Sequence, residues 1–187
     1  VMKYYFTSES VTEGHPDKIC DKIADKILDS ALSVDKESKM AVEATIKDDL
    51  ILIYGEAKTK AVLDYEKIAK EVLKDIGYTE EFNVIVKVSE QSNEINSAVV
   101  KNKICAGDQG IMFGYATNET KNFMPLPIYY ANKLAKKLTE VRKNDKNTPL
   151  KPDGKTQVTV EYINDKPARI DTIIISCQHI KIFLKKV

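Results

Sequence analysis

A histidine and an aspartate two residues apart, His15 and Asp17, stand at the start of a helical pattern. Pro16 lies between them and suits the first turn of a helix, where its missing N–H costs no hydrogen bond. Asp17 suits the positive end of the helix dipole. Backbone N–H groups at such a helix start can bind a phosphate, or a metal ion that carries one. The same residues could also serve only to cap the helix, and the local sequence leaves both interpretations open.

A lysine in the second half of the chain could contact the same kind of ligand. Asp153, Gly154 and Lys155 follow Pro152 in a run whose residue types are typical of a turn leading into a strand. An ammonium group at a strand start, beside a carboxylate, can place a point charge on a phosphate oxygen. Turn chemistry alone would also explain the run, so both interpretations stay open.

Two glutamates fall within strand patterns of the first half. Glu43 lies on the outward side of an alternating segment, and Glu56 ends the next segment directly after Gly55. Exposed carboxylates are common at such positions, so solvated side chains are the default interpretation of both. Gln91 opens a later polar segment, where a solvated turn is the default.

Length and composition exclude several classes of protein. The chain of 187 residues can form one good-sized domain or two small ones. Its net charge of +1 lacks the basic footprint that nucleic-acid binding needs. The three cysteines are odd in number and without metal-ligand spacing, which indicates reduced thiols. No apolar run approaches ~18 residues and no signal-peptide layout is present, so we expect a cytoplasmic protein without a membrane or nucleic-acid partner.

Hydrophobic periodicity predicts the elements that position these residues. Apolar residues recur in pairs every four residues after Asp17, which indicates an amphipathic helix to about Ser33. A second helix follows a hairpin and runs from the N-cap Asp64 to Ile76, with Gly77 as its stop. The predicted strands of this half are Tyr4–Thr7, Met40–Ile46, Leu50–Glu56 and Phe82–Val88. This order predicts one α+β layer with helices on one face of a sheet.

The second half repeats part of this pattern. Residues 90–108 show no period and predict a long loop, of a kind that often serves as a lid or binding loop. A strand-like segment, a helix and a hairpin follow, at Gly110–Tyr115, Pro125–Lys143, Lys155–Tyr162 and Ala168–Cys177. The fold predicted is therefore α+β, with repeated strand-helix-hairpin units whose helices pack on one face of mixed or antiparallel sheets.

Two long runs carry a resemblance to a known family. Residues 6–18 read FTSESVTEGHPDK, and residues 105–120 read CAGDQGIMFGYATNET. Both resemble signatures of the S-adenosylmethionine synthetase family, and the resemblance extends from about Phe6 to His179. It implies an N-terminal domain at 1–97 and a central domain at 104–179. On this resemblance we expect the third domain of the family to be missing and residues 180–187 to form an atypical tail.

The resemblance implies a reaction and a set of residues for it. Members of the family make S-adenosylmethionine from ATP and L-methionine, releasing phosphate and diphosphate, as homodimers or larger assemblies with shared active sites. The ATP-binding residues implied are His15, Asp108, Asp153, Gly154 and Lys155, of which His15 and Lys155 are also catalytic. Glu56 and Gln91 would bind methionine, while Asp17 would hold Mg²⁺ and Glu43 would hold K⁺.

The chain also departs from the family pattern. The segment after Gln91 has Asn93 and Glu94 in place of a Pro-Asp pair and lacks an expected glycine. Pro149 stands where the family has a tryptophan. Family members are about twice as long, and their last third carries a Gly-rich phosphate loop and further cationic groups. The isolated chain is therefore expected to be incomplete as an enzyme.

Two other functions compete with this one. The chain could be a catalytically inactive partial subunit that acts as a partner or regulator of a full-length chain. It could also be a generic Mg²⁺–nucleotide domain, which would bind ATP without needing methionine or potassium. We rank that reading last because it gives no reason for the signature around Asp108.

Overall fold

The computed structural model describes residues 2–90, 110–145 and 147–180. Within these ranges lie three helices and six strands, arranged as two three-stranded sheets. The elements are β1 (Lys3–Val11), α1 (Pro16–Val34), β2 (Lys39–Lys47), β3 (Leu50–Lys58), α2 (Tyr65–Ile76), β4 (Asn83–Glu90), α3 (Leu126–Asn144), β5 (Leu150–Ile163) and β6 (Lys166–His179). The predicted α+β class is confirmed, with one mixed and one antiparallel sheet.

The described residues divide into two compact units. One unit contains the described residues of 1–18 and 115–187, and the other contains the described residues of 19–114. This division rests on contacts in three dimensions, while the sequence domains expected at 1–97 and 104–179 stay a prediction.

The unit of 19–114 is built on the sheet β2-β3-β4. β2 and β3 form the predicted antiparallel hairpin, and β3 pairs with β4 in parallel through the connecting helix α2. The inward faces of the strands and of both helices share one core, which contains Ile19, Ile23, Ile27, Ile51, Ile53, Val72 and Leu73. Full burial of each such side chain contributes about 1.5–3 kcal/mol.

Both ends of α2 are as predicted. The Asp64 side chain accepts a hydrogen bond from the backbone N–H of Lys67 at 3.0 Å. Gly77 ends the helix at φ 108°, a left-handed conformation that glycine adopts without strain. Its N–H donates to the carbonyl groups of Leu73 and Lys74, which satisfies the last turn.

The other unit is built on the antiparallel sheet β1-β5-β6, with β5 in the centre. α3 covers the inner face, where Ala131 packs with Val158, Val160 and Tyr162. The Tyr162 ring stacks on Tyr4 of β1 with ring centroids 5.1 Å apart. The helix predicted at Pro125–Lys143 is thus confirmed, with Pro125 as its N-cap.

Three predictions of local structure are wrong. β1 does not join the hairpin β2-β3 in one layer, because its hydrogen-bonding edge pairs with β5 over Lys3–Val11. Pro152 and Asp153 form no separate turn but lie inside β5, next to a register irregularity. Gly110–Tyr115 is not a strand, since among the described residues no neighbouring strand satisfies its backbone groups. Its large apolar side chains are exposed.

Candidate active site

His15 lies in the turn between β1 and α1, and it does cap the helix. Its Nδ1 accepts a hydrogen bond from the backbone N–H of Asp17 at 3.2 Å. The same nitrogen lies 3.7 Å from Oδ2 of Asp17. A ring nitrogen that accepts an N–H carries no proton, so the neutral imidazole has its proton on Nε2. The capping contact therefore leaves Nε2–H as a hydrogen-bond donor at the helix start.

The turn is attached to β5 by Thr12, whose side chain is buried. The Thr12 hydroxyl donates to the carbonyl oxygen of Pro152 at 2.7 Å, and its backbone N–H donates to that of Gly154 at 2.9 Å. The His15 N–H in turn donates to the Thr12 carbonyl at 3.1 Å, which closes the turn. The first signature run is thereby held against the Asp153 segment at one end of the sheet.

Two glycines make this close approach possible. A Cβ atom at Gly14 would overlap the side chain and the carbonyl group of Pro152. A Cβ atom at Gly154 would lie 2.9 Å from the Leu138 side chain of α3 and 3.2 Å from that of Thr12. Gly154 is buried, so its side of the strand supports the turn.

Lys155 lies on the outward face of the sheet, opposite Val11 in the register. Its Nζ is 3.3 Å from Oε1 of Glu9, and each side chain is about half exposed. An exposed pair of this kind contributes at most about 1 kcal/mol. The ammonium group can therefore exchange Glu9 for a more highly charged anion at small cost.

Glu13 forms the strongest ion cluster of the turn. Its carboxylate lies 2.6 Å from Nη2 of Arg142 and 2.8 Å from Nζ of Lys143, both in the last turn of α3. Sequence reasoning missed this cluster, as it missed the roles of Thr12 and Gly14. All three turn residues belong to the first signature run, which is the signal that could have drawn attention to them.

The two predicted carboxylates of the other unit share one surface. Glu43 is paired with Tyr54, and Glu56 lies two residues further along β3 opposite Ala41. Both side chains therefore lie on the outward face, at diagonal positions. Neither forms a hydrogen bond or an ion pair with another described residue. Gly55, at φ 132°, lets β2 approach, since a Cβ there would overlap the Ala41 carbonyl.

Gln91 and Asp108 lie outside the described residues, as does the loop predicted between them. Across the described ranges, no group of three or more His, Cys, Asp or Glu side chains could form a metal cage. Asp17 suits a different arrangement, because its carboxylate is 82% exposed beside the helix start. Mg²⁺ commonly takes one or two carboxylates and completes its shell with water and phosphate oxygens.

Two further findings concern membrane-spanning helices and the cysteines. No helix in the described part of the chain has the length and apolar character needed to cross a membrane. Neither Cys20 nor Cys177 forms a disulfide bond with another described residue. The cytoplasmic location expected from the sequence stays a prediction.

Comparison with known proteins covers almost the whole chain. Residues 3–102 match the family described as S-adenosylmethionine synthetase, N-terminal domain, and residues 103–187 match its central domain. The S-adenosylmethionine synthase of Brachyspira hyodysenteriae is 48% identical over 198 residues, which cover 96% of this chain and 50% of that protein. That of Clostridium botulinum is 48% identical over 198 residues, covering 95% and 51%. The chain spans about half the length of these curated relatives.

Proposed function

The chain belongs to the S-adenosylmethionine synthetase family, and on that premise we propose that it serves S-adenosylmethionine synthesis from ATP and L-methionine. One observation carries the proposal: the turn from Thr12 to Asp17 is hydrogen-bonded to Pro152 and Gly154. Residues predicted to bind ATP from two distant segments are thereby brought to one end of a sheet.

In the proposed reaction the methionine sulfur attacks the 5′ carbon of ATP. A carbon–sulfur bond forms as the carbon–oxygen bond breaks, and the whole triphosphate leaves. Water then cleaves the triphosphate to phosphate and diphosphate. This chemistry needs alignment of sulfur and carbon, and stabilisation of the charge that develops on the leaving oxygen.

The residues at the turn suit that stabilisation. His15 would donate Nε2–H to the leaving oxygen, since Nδ1 is occupied by the Asp17 N–H. Lys155 would place its positive charge on the triphosphate. Asp153 and Gly154 would complete the contacts to ATP, together with Asp108 of the second signature.

Other candidate residues would bind two cations and the second substrate. Asp17 would hold Mg²⁺, and Glu43 would hold K⁺. When bound, Mg²⁺ neutralises phosphate charge and orients the leaving group. Glu56 and Gln91 would bind the methionine, and a carboxylate suits its ammonium group through charge-assisted hydrogen bonds.

Binding of tripolyphosphate with Mg²⁺ tests this assignment on the chain itself. We expect calorimetry to show binding, weakened at least ~10-fold in Lys155→Gln, because a charge-assisted contact contributes about 1.5–3 kcal/mol. Lys137→Gln is the matched control, since it removes the same charge from an exposed ion pair with Glu140. Absence of binding, or equal affinity in the two variants, would contradict the proposal.

A second candidate function, which we propose beside the first, is that of an inactive partial subunit that partners a full-length chain. The chain spans about half the length of its curated relatives. We expect little or no S-adenosylmethionine from the chain alone, since loss of one preorganised contact can cost ~100-fold. Assays of the chain alone, and then mixed with a full-length relative, distinguish the two functions. Turnover by the chain alone at a relative's rate would exclude the partial subunit.

A further inference from the structure

The ion cluster at Glu13 connects the turn to a second element of the same unit. Arg142 donates from Nη2 to Oε1 of Glu13 at 2.6 Å, and Lys143 donates from Nζ to Oε2 at 3.0 Å. The Glu13 and Arg142 side chains are only 14% and 11% exposed. Lys143 is less buried, which makes Arg142 the principal partner.

The burial and length of this contact set it apart from the other ion pairs near the turn. The pair of Lys155 and Glu9 is longer and about half exposed. Short charge-assisted contacts are about twice as strong as neutral hydrogen bonds. Removing one partner of a nearly buried pair leaves the other charge poorly solvated, so the geometry of such a pair is strongly held.

The turn is therefore held from two directions. Thr12 attaches it to β5 through two hydrogen bonds, and Glu13 attaches it to the last turn of α3. The next residues in the chain are Gly14 and His15. With both preceding residues fixed, the direction of the backbone at Gly14 and His15 is fixed as well, and it sets the direction of the His15 ring.

We propose that Arg142 is a positioning residue which, through Glu13, fixes the Thr12–Asp17 turn so that His15 and Asp17 face a triphosphate. The inference rests on the proposed function only for the identity of the ligand. The nearly buried guanidinium is engaged with Glu13, so Arg142 acts through that carboxylate.

Hydrogen exchange tests the positioning contact without any ligand. In Arg142→Gln we expect the amides of Glu13, Gly14, His15 and Asp17 to exchange at least ~10-fold faster, while those of Val158 and Val160 stay protected. Lys137→Gln, with the same charge change on the same helix, should leave both regions as in the wild type. If Arg142→Gln fails to fold, Arg142→Lys and Lys143→Gln provide milder changes. Unaltered exchange in the turn of a folded variant would overturn the inference.

A double-mutant cycle on tripolyphosphate affinity with Mg²⁺ then separates positioning from direct contact. We expect Arg142→Gln to weaken binding ~10-fold or more, but to add little in a Glu13→Gln background, where the contact between Arg142 and the Glu13 carboxylate is already removed. The inference would be overturned if Arg142→Gln weakened binding as much in the Glu13→Gln background as in the wild type. It would also be overturned if Arg142→Gln bound tripolyphosphate as tightly as Lys137→Gln. Absence of binding by the wild type would overturn the proposed function instead, and the exchange result would still decide the contact.

Discussion

His15 shows how one side chain can both cap a helix and present a donor to a ligand. The cap uses Nδ1, which accepts the Asp17 N–H, and the proposed chemistry uses the proton on Nε2. The two interpretations of the sequence are therefore compatible. A substitution that keeps the cap and removes the donor can separate them.

We expect His15→Asn, made in a full-length version of this protein, to keep its melting temperature within a few degrees. Asparagine is among the best N-caps, and even poor caps cost only ~1 kcal/mol. The rate of S-adenosylmethionine formation should fall by a factor of order 100, as when other transition-state donors are removed. ATP binding should weaken much less, because the contact strengthens as charge develops.

A melting curve and a steady-state assay on the same preparation of that variant provide the measurement. If the variant has a lower melting temperature and its activity falls only in proportion to the loss of folded protein, His15 has a structural role alone.

Gly14→Ala should destabilise the fold, because the new Cβ would overlap the Pro152 side chain and carbonyl group. Overpacking of this kind costs about 1–3 kcal/mol, which lowers the melting temperature by several degrees. Gly110→Ala is the matched control, since no heavy atom of another described residue, its chain neighbours aside, lies within 4 Å of its added Cβ. Equal melting temperatures for the two variants would show that Gly14 does not lie as close to Pro152 as described.

At the scale of elements, one carboxylate on the central strand of the sheet β1-β5-β6 forms ion pairs with both edge strands. Glu161 of β5 is 5% exposed and lies 3.0 Å from Nζ of Lys3 in β1. Arg169 of β6 lies 2.9 Å away on the other side. The Lys3 contact chiefly, followed by those of Arg169 and Tyr5, holds the pKa of the Glu161 carboxyl below its usual range.

The stability of this sheet should therefore decrease as the pH falls. A carboxyl whose pKa is lower in the folded state binds fewer protons there, so its contribution is present above its ordinary pKa of 4.5. The contribution is lost as pH falls through 4.5 and then through the lower folded value. Glu161→Gln should melt earlier at pH 7 and lose less stability than the wild type between pH 5 and pH 3.

Melting curves across that pH range measure the effect. Glu140→Gln, which removes a carboxylate from an exposed ion pair, should keep the acid response of the wild type. If Glu161→Gln also keeps it, the charge cluster does not stabilise the sheet.

At the scale of the whole molecule, β6 is an edge strand that exposes apolar surface. Ile173, Ile174 and Ile175 are each about half exposed, and Ile170 is similar. Ile174 lies on the opposite face of the strand from Ile173 and Ile175, so both faces of this edge expose apolar side chains. Exposed edge strands pair readily with other chains.

We expect the chain to form a dimer or larger assembly, as the family resemblance also implies. Light scattering over a range of concentrations provides the measurement. Ile174→Lys should shift the equilibrium towards the monomer, because an edge charge opposes pairing. Val34→Lys places the same charge at an exposed apolar site outside β6 and should not. A monodisperse wild-type monomer at high concentration would contradict the expectation.

Short-range patterns in the sequence determined the elements that depend on near neighbours. α2 begins directly after its N-cap Asp64 and ends before Gly77 because capping uses groups a few residues apart. The hairpin β2-β3 and the helix α3 follow from apolar periodicity in the same way. The candidate site residues His15, Asp17 and Lys155 could likewise be predicted from residue type and motif, and their roles stay a prediction.

Only the tertiary structure decided which distant segments meet. β1 pairs with β5 rather than with the nearer hairpin, and Thr12 and Glu13 find their partners well over a hundred residues along the chain. Backbone donors and buried charges must be satisfied, but many carbonyl groups and cations could do so, and local sequence does not select among them. The predicted strand Gly110–Tyr115 was wrong for that reason, because a strand exists only where another backbone lies beside it.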